Sequence, residues 1–116
     1  MVFPSVFAIV VGLGMMAQWT ASYVTRQIPE LATEPIRIWF HIAAETATAL
    51  ALLGGGIGLL AGAPWAVSAY LVAMGMLLYT AIVSPGYFAQ KGQWAWVAIF
   101  GVIIALAVAS TIAVLR

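Results

Sequence analysis

Arg37, His41 and Glu45 recur at four-residue spacing, and an α-helix stacks such residues along one face. An imidazole beside a carboxyl can pass a proton, hold a small cation or act as an acid–base pair. Glu45 is the unexpected member, because it stands ten residues past the helix-breaking Pro35 within the apolar run from Ile36 to Leu60. A charge carried into hydrocarbon costs about 3 kcal/mol on insertion scales, so such a residue normally faces a cavity or a partner. The chemistry expected is binding of an ion or small molecule, with transport as its extension. The alternative is an accessory or scaffold subunit whose buried polar network only fixes helix register.

Other chemistries lack their residues. The spacing His-x-x-x-Glu offers two ligands on one helix face, whereas zinc normally takes three or four from protein. With one histidine and no cysteine, metal is expected only if His41 and Glu45 are shared across an oligomer. Bis-histidine haem would likewise need two protomers. No nucleophile with an adjacent base and no oxyanion-hole loop accompanies the pair, so no catalytic residue is assigned and the reading leans away from an enzyme. Gly54 to Gly56 sit inside an apolar helix and not between a strand and a helix, so they do not cradle phosphate. No particular cofactor is implied. A formal net charge of +1 gives no footprint for nucleic acid, and no Lys/Arg cluster marks an anionic-lipid site.

The elements that must position these groups follow from composition. The 116 residues are 66% hydrophobic and 6% charged, with a mean hydropathy of +1.14. A soluble domain carries about 25% charged residues and could not cover its surface with so few. Four apolar stretches, each near the roughly 20 residues that span a bilayer, predict an all-α integral membrane four-helix bundle, up-down-up-down, in a single domain. The helices are expected at about 4–24, 34–62, 66–83 and 94–115. The N-terminus lacks a basic n-region and its apolar run is long, which favours a spanning helix over a cleaved signal peptide. Thr33-Glu34-Pro35 reads as a helix start with Thr33 as N-cap. Residues 25–33 form the most polar segment, resting at the interface with a short helical turn, and Ser84 to Gln93 read as a loop opened by a Pro-Gly turn. Gly54, Gly58 and Gly62, at strict four-residue spacing, would let another helix approach closely. That stripe underlies the expectation of a homo-oligomer, most simply a dimer, with internal packing as the alternative.

Four spans put both ends and the loop between the second and third helices on one side (side A), and the other two loops on side B. Arg26, Arg37 and Lys91 fall on side B and Arg116 alone on side A, so the positive-inside rule makes side B cytoplasmic. Trp19, Tyr23, Trp39, Tyr87, Trp94 and Trp96 also gather near side B, as an interfacial belt or as the wall of a pocket mouth. Counting inward from side B at about 1.5 Å per residue, Gln18 and Tyr79 reach the depth of Glu45 within one turn. The expected ligand or proton site is Glu45, His41, Gln18 and Tyr79, with Ser22 and Thr80 a layer nearer side B and Arg37 at the mouth.

Trp39-Phe40-His41-Ile42-Ala43-Ala44-Glu45 and Ser84-Pro85-Gly86-Tyr87-Phe88-Ala89-Gln90-Lys91-Gly92 resemble segments of short uncharacterised prokaryotic membrane proteins of four helices. The resemblance covers most of the chain. It implies a stand-alone multi-pass protein of a prokaryotic plasma membrane and no particular activity.

Overall fold

A computed structural model describes residues 2–116, and the elements among them are all helical: α1 (Val2–Val24), α2 (Glu30–Thr33), α3 (Pro35–Ala61), α4 (Ala66–Val83), α5 (Pro85–Gln90) and α6 (Trp94–Leu115). Four segments are long and apolar enough to cross a membrane: Val2–Val24, Pro35–Ala61, Ala66–Gln90 and Trp94–Leu115. The four long helices close a ring. α1 packs on α3 and α6, and α4 packs on α3 and α6, so α1 lies diagonal to α4. The buried core runs through Phe7, Ala8, Leu52, Tyr70, Ala73, Met74, Leu77, Ala107 and Val114. α6 is the most apolar and the least buried of the four.

Two expected boundaries change. Thr33 closes α2, and Glu34 takes the N-cap position of α3 with no side-chain cap bond. Pro35 sits at the start of α3, where its missing N–H leaves no hydrogen bond unmade. The segment read as a Pro-Gly loop instead begins as helix: Ser84 keeps right-handed helical dihedrals and Pro85 opens α5. Proline is tolerated in a first turn for the same reason, so Ala66–Gln90 stays one long apolar stretch.

The glycine stripe does not form one packing face. A Cβ on Gly54 would meet nothing, while one on Gly58 would strike the ring of Trp65 and the side chain of Ala66. Gly62 stands past the helix end in the left-handed region, φ 68°. Its N–H bonds Leu59 O at 3.3 Å and the Ala63 N–H bonds Gly58 O at 3.0 Å, the paired bonds of a Schellman cap. The close approaches are made by neighbouring glycines. A Cβ on Gly55 would lie 3.1 Å from Tyr70 Cα of α4, and one on Gly56 3.0 Å from Ser5 O of α1. Gly55, Gly56 and Gly58 therefore serve contacts within the chain.

The same cap ends α1, with a different residue in it. The Arg26 N–H bonds Tyr23 O at 3.2 Å and the Gln27 N–H bonds Ser22 O at 2.9 Å. Arg26 takes the position that Gly62 takes on α3, with φ 58°. A side chain in that conformation costs about 1–2 kcal/mol.

Candidate functional site

α3 carries its polar face inward at Glu45 and Thr48, both buried. Thr48 Oγ1 donates back to Ala44 O at 2.9 Å, a bond within the helix. Glu45 is 7% exposed, and its Oε1 accepts the hydroxyl of Thr80 from α4. Thr80 Oγ1 lies 3.1 Å from Ser84 Oγ one turn on. On the other side of the carboxyl, His41 Nε2 stands 3.6 Å from Glu45 Oε1, beyond good hydrogen-bond length but within ion-pair reach. The imidazole is partly exposed, and the Trp19 ring of α1 meets it edge-on at 5.4 Å between centroids. Ser84, Thr80, Glu45 and His41 thus form a polar chain across α4 and α3, walled by Trp19.

Of the expected group, Glu45 and His41 come together. Gln18 does not join them: it is exposed on α1, whereas its neighbour Trp19 reaches His41. Tyr79 is 72% exposed and points away, while its neighbour Thr80 is the residue on the carboxyl. Thr80 therefore belongs in the Glu45 layer and not a layer nearer side B. Arg37 is exposed and pairs with Glu34 at 3.4 Å, apart from the carboxyl. Ser84, expected in a loop, caps α4 in helical conformation and so comes within reach of Thr80. No group of three or more metal-ligating side chains occurs among the described residues.

A second polar layer escaped the sequence reading. Tyr70 is fully buried and its hydroxyl donates to Pro4 O at 3.0 Å, a bond across the diagonal of the ring. Buried Ser110 of α6 donates to Ala107 O at 3.0 Å and lies 3.4 Å from Met74 Sδ. Tyr70 stands close after Trp65 at a helix start, where an aromatic residue reads as an interfacial anchor. Ten residues, about 15 Å along α4, separate it from Thr80, and that interval is packed with Leu52, Ala73, Met74 and Leu77.

At the His41 end, Lys91 Nζ donates to Tyr87 Oη at 2.5 Å, and Tyr87 donates to Glu30 Oε1 at 3.0 Å. The bond to the Tyr87 oxygen raises the Lys91 amine above its ordinary value of 10.5; slight desolvation opposes this, and the charges of Tyr87 and Glu30 reinforce it. A raised folded-state value means that the tether contributes below pH 10.5 and fades as pH climbs through the raised value. Thermal melts should therefore show a small extra loss for wild type above that pH. Tyr87→Phe, which keeps the ring and deletes both bonds, should remove the difference; equal pH profiles would mean that the tether adds nothing.

A family model described as a domain of unknown function, DUF8058, matches residues 2–116. The chain belongs to this family. Comparison with curated proteins and with solved structures finds no match for this DUF8058 chain. The family match spans all six helices, so the Glu45 layer and the Tyr70 layer both lie inside the DUF8058 domain.

Proposed function

We propose that this DUF8058 protein is a multi-pass membrane protein that takes up a small cation, the proton included, at Glu45 from one side of the bilayer. The observation that carries the reading is the buried Glu45 carboxyl, held by Thr80 and reached by a partly exposed His41. Four apolar segments of sufficient length support insertion. The four-residue connection between α3 and α4 and the ring of neighbouring contacts support an up-down-up-down course. An ionisable group at membrane depth is retained at a cost of several kcal/mol and usually marks an ion or proton site. The polar chain opens toward the end that carries Ser84 and His41, and the apolar packing around Leu52 and Leu77 closes the other direction. Uptake is therefore one-sided, and transport would require that packing to rearrange. The rival reading is a scaffold, favoured by the Thr80–Glu45 bridge that ties α4 to α3.

Carboxyl-carbon NMR of glutamate-labelled protein in nanodiscs separates the two. Three glutamates are present, Glu30, Glu34 and Glu45, and Glu45→Gln identifies the buried signal. That signal should respond to pH or to sodium, potassium, magnesium or a tetraalkylammonium ion while the helices stay folded. Glu45→Gln should keep the fold within about 1 kcal/mol, since the carboxamide oxygen still accepts the Thr80 hydroxyl. A buried signal that stays fixed against both pH and cations sinks the proposal and leaves the scaffold.

A further inference from the structure

The charges at the α1–α2 end do not balance. Arg26, Arg37 and Lys91 face two acids there, Glu30 and Glu34. Glu34 is taken by Arg37 at 3.4 Å, and Glu30 by Tyr87, which also receives Lys91. Arg26 is left over: among the described residues no side-chain bond or ion pair engages it. It is also the one non-glycine residue with positive φ among them, in a cap position where glycine carries no strain. Strain kept at a charged residue points to a use for that charge.

Arg26 lines a groove of about 500 Å³ whose other walls are Tyr23, Val24, Ile28, Pro29, Leu31 and Ala32. Among the lining side chains only Arg26 and Tyr23 carry polar groups, and buried Ile28 anchors the connecting segment against the bundle. One planar cation at the rim of an apolar trough matches an amphiphile with a single anionic head. The guanidinium fork suits two oxygens of a phosphodiester, and Val24, Ile28 and Leu31 suit the first methylenes of an acyl chain. We propose that this groove binds an anionic glycerophospholipid, phosphate on Arg26 and chain along α2. The sequence holds no basic run that would mark such a site; the fold makes one from a single arginine and the turn that presents it. The proposal rests on the membrane reading above but is independent of Glu45.

The test uses detergent-purified protein and thermal melts with added phosphatidylglycerol, phosphatidylcholine or inorganic phosphate. Phosphatidylglycerol should raise Tm by several degrees, since a ligand that binds only the folded state stabilises it. Phosphatidylcholine should raise it far less, and inorganic phosphate not at all. Arg26→Asn removes the charge and tolerates the left-handed backbone, so its lipid-free Tm should equal or exceed wild type while most of the phosphatidylglycerol shift is lost. Arg116→Gln deletes a charge elsewhere and should keep the full shift. Equal shifts from the two lipids, an undiminished shift in Arg26→Asn, or equal losses in both variants would each overturn the site. A shift from phosphate alone would assign the guanidinium to a soluble anion and overturn the lipid. Failure of the protein to reconstitute into any bilayer would instead remove the membrane reading beneath it.

Discussion

Gly56→Leu should cost about 3 kcal/mol, the upper end of what overpacking usually costs. The reason is the approach of α1. A Cβ at Gly56 would stand 2.9 Å from Ile9 Cγ1, 3.0 Å from Ser5 O and 3.2 Å from Ala8 Cβ. Ile9 can shift, but a backbone oxygen cannot move without its helix, and overpacking of this kind commonly costs 1–3 kcal/mol or more. α1 has few other large anchors, since Phe7 and Ala8 are its buried core residues beside Pro4, Ser5 and Gly12. Denaturant or thermal melts in detergent would read the loss. Ile9→Ala added to Gly56→Leu should restore only part of it, because Ser5 O remains. Gly54→Ala supplies the control: its Cβ meets nothing, so the melt should match wild type or exceed it. A Gly56→Leu protein that melts like wild type would mean that α1 does not lie where this contact puts it.

The second large effect concerns the Glu45–Thr80 bridge, and its signature is non-additivity. Thr80→Val leaves a buried carboxyl without the hydroxyl that reaches it, and Glu45→Leu leaves a buried hydroxyl with Ser84 as its remaining partner. Removing one partner of a buried polar pair costs about 1–3 kcal/mol, more when the survivor is charged, whereas replacing both by apolar groups can be nearly neutral. Thr80→Val should be the worse single change, because the hydroxyl left by Glu45→Leu keeps Ser84 as a partner. The double variant should recover most of the loss, with a coupling of roughly 1–3 kcal/mol in the double-mutant cycle. Additive losses would show that the two side chains do not depend on each other. Because the double variant lacks the carboxyl, it should also lack any cation response, which links the stability cycle to the proposed uptake.

Several features were legible because they depend on position along the chain. The four apolar stretches match the four long helices, with bounds that agree within about two residues. The short turn at residues 25–33 is present as α2. The pairing of His41 with Glu45 needed only helical spacing. The capping and loop errors have local causes: Thr33 is consumed by a preceding helix that four residues barely announce, and Pro85 at a first turn does not interrupt helix as it would in an interior.

Position along the bundle axis was legible in the sequence alone, and facing was decided only by the tertiary structure. Rise along a helix is about 1.5 Å per residue whatever surrounds it, so counting from the helix ends brought α1 and α4 to the level of Glu45. Rotation advances about 100° per residue, and one residue decides whether a side chain faces in or out. Trp19 reaches His41 where Gln18 was expected, and Thr80 binds Glu45 where Tyr79 was expected. In a water-soluble helix a polar stripe marks the outer face. α4 and α6 are apolar nearly all round, so their sequences hold little preference for one face. Their rotation is set by the shapes that meet across the ring: Tyr70 against Gly55 and Pro4, Ala66 against Gly58, and Ser110 against Met74. Those contacts join residues on different helices, up to 66 positions apart, and no periodicity within a single helix encodes them.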